Sequence, residues 1–156
     1  MNLTDWNEIK DEVYYWDGSW RDIYVLGTTQ DDWNKWIELV NQNYQVEFYN
    51  GQTQQKEDRI NRQVVFDYWT GKTDLLNDAT IKLGSIIIKC HFFTDQEIEN
   101  DIDPREIDTI EDHQRLMSYL IDISKALNKM VILTAENEQE TVYISVDGDN
   151  VVSNAK

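Results

Sequence analysis

The segment Gly84-Ser85-Ile86-Ile87-Ile88-Lys89-Cys90-His91-Phe92-Phe93 is the most apolar stretch of the chain, and its length limits what the sequence can become. It is far shorter than the roughly 20 apolar residues of a membrane-spanning helix, but ample for one strand. Its near-continuous apolar character predicts a central, buried strand. Such a strand needs partners. Asp22-Ile23-Tyr24-Val25-Leu26, closed by Gly27, reads as a second buried strand. Tyr44, Val46 and Phe48 alternate with Gln45, Glu47 and Tyr49, and Asn50-Gly51 supplies a turn. Val64–Trp69, ended by Thr70-Gly71, predicts a further strand across a solvated loop at Gln52–Gln63. Met130–Leu133 and Thr141–Val146 predict the last two, before a turn at Asp147–Asn150.

Two helices stand between these strands. Thr29, three residues before Asp32, has the spacing of a helix cap, and Trp33, Trp36, Ile37 and Val40 share one helical face. Leu116, Leu120, Ile123 and Leu127 define the second helix, with Met117 and Ile121 widening its apolar face and Thr109-x-x-Asp112 as its start. With one Pro and six Gly no linker divides the chain. The expectation is a single acidic α+β domain over residues 1–156. A mainly antiparallel or mixed sheet packs against two principal helices, and residues 1–20 form a covering segment.

Charge is the next constraint. There are 30 Asp+Glu against 14 Lys+Arg, a formal net charge of −16, yet 40% of residues are hydrophobic, which separates the chain from acidic disordered tails. Direct binding of nucleic acid is disfavoured, because phosphate contacts need Lys and Arg. The acids crowd between the apolar strand and the second helix: Asp95, Glu97, Glu99, Asp101, Asp103, Glu106, Asp108, Glu111 and Asp112 are opposed only by Arg105. Thr94-x-x-Glu97 and Asp103-Pro104-Arg105-Glu106 resemble helix starts, so this run reads as an acidic helical connection in which some acids cap. Capping does not use all nine, and like charges packed so closely repel. The remainder reads as a face of negative potential, for which Glu97, Glu99, Asp101, Asp103 and Asp108 are the candidate partner-binding residues.

Aromatic residues crowd the first quarter: Trp6, Tyr14, Tyr15, Trp16, Trp20, Tyr24, Trp33 and Trp36. Trp33 and Trp36 fall on the apolar helix face and are expected in the core. Trp16 and Trp20 follow no period and are candidate anchors for a partner, since Trp carries binding energy at interfaces, although a flap packed on the sheet needs such residues equally.

Recognised catalytic patterns are absent. Cys90 and His91 are adjacent on a predicted strand, point to opposite faces and cannot form a dyad. His113, which follows Glu111 and Asp112 near a helix start, has no second His at metal-ligand spacing. The acidic run contains no Gly for a calcium loop, and no phosphate-cradling, G-x-S-x-G, H-E-x-x-H or C-x-x-C pattern occurs. No catalytic residue, cofactor or metal is therefore assigned. The lone Cys90 suits a reducing compartment, and the acid-rich start lacks a secretory core, so the expected location is cytoplasmic, without membrane attachment.

Arg21–Leu26, Asp32-Trp33, Leu83–Phe93, Asp103-Pro104-Arg105-Glu106-Ile107 and Val131–Asn137 together resemble small bacterial proteins of the kind encoded beside polymorphic toxins, the immunity proteins. That resemblance implies an inhibitor that binds a toxin domain. It carries over no individual residue. The expected function is thus an acidic binding protein that occludes the active site of a basic, nuclease-like toxin domain. Two alternatives stand beside it: a nucleic-acid mimic, for which acids at every second residue from Glu97 to Asp103 are suited, and a carboxylate- or metal-dependent enzyme.

Overall fold

Strand alternation decides which side of this protein is core. The computed structural model describes residues 3–154. Among them nine strands form one sheet: β1 (Arg21–Leu26), β2 (Gln45–Asn50), β3 (Gln55–Glu57), β4 (Asp78–Leu83), β5 (Ile86–Cys90), β6 (Glu97–Ile102), β7 (Val131–Ala135), β8 (Glu138–Asp147) and β9 (Asn150–Ser153). Their order is β3-β2-β4-β5-β6-β1-β7-β8-β9, and every pairing is antiparallel. Ile23, Val25, Phe48, Ile81, Ile88, Ile98, Ile102, Leu133 and Ile144 project to one side and are buried.

The four helices α1 (Leu3–Val13), α2 (Gln30–Asn43), α3 (Arg62–Trp69) and α4 (Ile110–Leu127) contribute to the same core. Trp33, Trp36, Ile37 and Val40 of α2 and Leu116, Leu120, Ile123 and Leu127 of α4 are buried on the faces their spacing predicts. Each such side chain is worth about 1.5–3 kcal/mol of apolar burial. Both helices start on complete capping boxes, Thr29 with Asp32 and Thr109 with Asp112. A buried polar chain ties them to the sheet: Trp36 Nε1 donates to Tyr119 Oη (3.3 Å), which donates to Asn100 Oδ1 (2.6 Å) on β6. With helices on one side only, this is the α+β architecture expected.

Several local expectations are corrected. Val64–Trp69 is helix, not strand. Asn61 caps it by accepting from Val64 N, and Val64, Val65, Tyr68 and Trp69 lie at helical offsets, so burial against the core overrides the strand preference of their side chains. The 52–63 loop contains β3, and the polar connection before Gly84 contains β4, whose Ala79, Ile81 and Leu83 alternate with polar residues. The apolar stretch is a five-residue strand entered by a turn at Gly84 (φ +62°); within it Ile87 points outward, so β5 is buried on one face, not two. The acidic segment begins as strand β6, not helix, because Ile98, Asn100 and Ile102 alternate inward. Only Pro104–Glu106 forms a helical turn, capped by Asp103. Within residues 1–20, read from sequence as a covering segment, Leu3–Val13 is helix α1, and residues 1 and 2 lie outside the described residues.

Candidate functional site

Alternation that sends Ile98, Asn100 and Ile102 of β6 into the core sends Glu97, Glu99 and Asp101 to the opposite face, away from the helices. Pairing with β1 then sets their neighbours. Asp101 stands opposite Asp22, Glu99 opposite Tyr24, and Glu97 opposite Leu26. Oxygens of Asp22, Glu99 and Asp101 lie within 4.8 Å of one another.

The hairpin of β7 and β8 closes over part of this row. Register shifts between Leu133 and Ala135 bend its strands. Asn137 N then donates to Asp22 Oδ2 (2.7 Å), and Gln139 Nε2 donates to both oxygens of Glu97 (3.2 and 3.3 Å). Tyr24 Oη also donates to Asp22 Oδ2 (3.0 Å), so Asp22 is 2% exposed while Asp101 retains 24% of its side-chain exposure. Beside the row is a recess of about 50 Å³ walled by Trp33, His91, Phe93, Glu97, Glu99 and Asp101.

Burial and like charge set the electrostatics. Desolvation, reinforced by the negative charge of Asp22, pushes the Asp101 carboxyl up to about 8. Glu99 is raised by the same two causes in the same order, and the Tyr24 phenol is raised by burial and by Asp22. Compensation is thin among the described residues. His91 Nε2 is 3.7 Å from Asp101 Oδ2, and Lys89, paired with Asp101 across the ladder, is turned to Thr80 Oγ1 (3.1 Å). The cluster can share a proton between carboxylates or attract a cation. Asp22, Glu99 and Asp101 are the oxygen ligands a hard divalent ion would use here.

The remaining acids of the run serve other ends. Asp103 accepts a fork from Arg105 Nε (3.1 Å) and Nη2 (2.9 Å), which holds its carboxyl below the usual carboxylate range. Asp108 pairs with Lys10 of α1 at 2.9 Å. Glu106 accepts from Ile87 N, and Asp112 closes the α4 cap and pairs with Arg115. Glu97, Glu99 and Asp101 are therefore brought together, whereas Asp103 and Asp108 are not. Trp16 is 47% exposed with the Arg105 guanidinium carbon 3.7 Å from its ring centroid, and Trp20 is half-buried beside Arg21. Cys90 is buried in the core, which raises its thiol. His113 is buried against Trp6 and accepts or donates at Nδ1 with Tyr14 Oη (2.7 Å).

Asp22 is the member that sequence reasoning misses. Its signal is a carboxylate inside a run otherwise read as a buried strand, but its meaning depends on the register with β6. Comparison with protein-family models, with curated proteins and with solved structures gives no match.

Proposed function

We propose that this protein is a binding protein that receives a basic protein domain against the helix-free face of its sheet, and that it acts as an immunity-type inhibitor covering the active site of a toxin domain in the cytoplasm. One observation carries the reading: Glu97 and Glu99 share one face with the raised carboxyl of Asp101, backed by Asp22, and have no cation among their described partners. A field of one sign over a recess with low-dielectric walls accelerates encounter with a cationic cleft. Leu26, Ile87 and Phe93, which are 45%, 36% and 62% exposed, lie on this face or beside the recess and offer apolar surface to hold a docked partner. The stripe stops after three acids, since Asp103 is occupied by Arg105, and this length favours a local cationic patch over a long phosphate-like track.

Affinity capture at low salt from the cell of origin tests the reading, with wild type and Glu97→Gln/Glu99→Gln run in parallel. The expected result is a basic protein retained by the wild type, lost from the variant and eluted by salt. Recovery of the same proteins on both columns overturns the proposal.

A further inference from the structure

A second recess, of about 360 Å³, shares Phe93 and Thr94 with the first and lies between the end of α3 and residues 93–95. Its walls carry three aromatic side chains, Tyr68, Trp69 and Phe93, and two carboxylates, Asp74 and Asp95. The aromatic walls are fixed from behind. Trp69 Nε1 donates to Phe92 O (2.9 Å), and the indole packs on Trp33 and Phe66 with ring centroids 4.8 and 5.5 Å away. Phe92 adopts φ +56°, a left-handed conformation uncommon outside Gly. It is itself buried in the core, whereas Phe93 directly after it is 62% exposed. An aromatic side chain so exposed, at the rim of a cavity and after a strained residue, is a feature of a binding surface.

The chemistry of the recess matches how this chain holds its own arginines. The Arg105 guanidinium lies 3.7 Å from the Trp16 centroid while forking onto Asp103. Arg21 lies 4.7 Å from the Tyr15 centroid and 5.6 Å from that of Tyr143, with Asp17 at 3.6 Å. An aromatic face and an aspartate recur together because a guanidinium is planar, weakly hydrated and able to stack and fork at once. The recess offers the same two groups, and no lysine or arginine is among its lining residues. Lys72, the nearest base in sequence, is directed to Asp67 at 3.9 Å. The Asp95 backbone carbonyl is held by Thr28 Oγ1 (2.8 Å) and Trp33 Nε1 (3.0 Å), while its carboxylate has, among the described residues, one long contact, from Gln30 Nε2 at 3.5 Å.

We propose that this aromatic and acidic recess takes the side chain of an arginine from the protein partner, stacked on Phe93 and Trp69 and paired with Asp95. The assignment rests on the reading of a cationic protein partner and names the residue of that partner that this site selects. Phe93 and Thr94 line both recesses, so the arginine docks next to the carboxylate row and fixes the register of the partner on it.

The test is a titration of isotope-labelled protein with the peptide acetyl-Gly-Arg-Gly-amide, followed by NMR at the Trp69 indole N–H and the Thr94 and Asp95 amides. The expected result is saturable shifts with a Kd on the order of 10 mM. Phe93→Ala and Asp95→Asn should each weaken binding at least about five-fold, and the Lys peptide should bind at least about three-fold more weakly than the Arg peptide. Both substitutions fall on surface side chains, so the fold should persist, as circular dichroism will verify. Absence of saturable shifts at Trp69, unchanged binding in both variants, or equal binding of the Lys peptide overturns the proposal. Asp108→Asn, at a residue paired with Lys10 and lining neither recess, should leave the titration intact; loss of the shifts in that variant overturns the assignment to this recess. If the peptide fails to bind while capture of a basic protein still depends on Glu97 and Glu99, the arginine site falls and the broader function stands.

Discussion

Asp22 and Asp101 face each other across the β1–β6 ladder, and Glu99 completes a set of carboxylates whose oxygens lie within 4.8 Å. The backbone N–H of Asn137 and the hydroxyl of Tyr24 both donate to Asp22 Oδ2. Asp101 has His91 Nε2 3.7 Å away, and burial, then the charge of Asp22, pushes its carboxyl up to about 8.

This arrangement makes stability depend on pH in a stated direction. A carboxyl whose folded pKa is raised contributes stability that is complete below its unfolded value, near 4, and is lost as pH rises through its folded value, about 8. Asp101→Asn keeps the neutral shape and removes the charge. It should therefore raise the melting temperature at pH 9 by about 5 °C or more, with a much smaller effect at pH 5. Thermal melts of both proteins from pH 4 to 9 check this; parallel curves across that range contradict it.

Replacing the source of the charge should act on its neighbour. Asp22→Asn retains an oxygen for Asn137 N and Tyr24 Oη but removes the negative charge second only to burial in raising Asp101. The Asp101 titration midpoint, followed by carboxyl NMR, should then fall by about one unit or more. Asp22→Ala differs, because it strands the buried Tyr24 hydroxyl and removes the acceptor of the part-buried Asn137 N–H, and should cost about 1–3 kcal/mol by chemical denaturation.

Legibility in the sequence follows how local the deciding physics is. Thr29 with Asp32 and Thr109 with Asp112 are readable because a capping box involves residues three apart, and the faces of α2 and α4 follow from helical spacing alone. Val64–Trp69 is misread because β-branched and aromatic residues suit either element, and the choice falls to tertiary burial and the Asn61 cap. The acids of β6 show their alternation in sequence, yet capping patterns at Thr94 and Asp103 compete with it. What no single segment reveals is register. The link between Asp22 and Asp101 spans 79 positions (101 − 22) and exists only once β1 is placed beside β6. The same holds for Lys10 with Asp108 and Arg105 with Trp16, which withdraw charge and aromatic surface from the expected interface.

The α1 segment should carry an acid-sensitive latch. Burial depresses His113 to about 4, and its Nδ1 meets the Tyr14 hydroxyl while its ring stacks near Trp6. A base with a depressed folded pKa contributes stability that is present above its unfolded value, near 6.5, and lost as pH falls through about 4. The span corresponds to about 3 kcal/mol. Amide exchange in α1 and fluorescence changes that Trp6→Phe abolishes should both increase between pH 6 and 4, before α4 loses protection. Simultaneous loss of both helices contradicts a local latch.

The two groups of acids should differ sharply when a basic partner is in hand. Asp108 is already paired with Lys10, so its charge contributes little to the outer field, whereas Glu97 and Glu99 lack a cation among their described partners. Long-range attraction acts on the encounter and is screened by salt over about 10 Å at 0.1 M. Glu97→Gln/Glu99→Gln should therefore slow association with the captured partner about ten-fold at low ionic strength, with a smaller change in dissociation. Asp108→Asn should change association less than about two-fold, and raising salt to about 0.5 M should bring all three proteins to a common, slower rate. Stopped-flow association measured across salt concentration gives the comparison directly; equal slowing by the Asp108 substitution shows that total charge, not its placement on β6, governs the encounter.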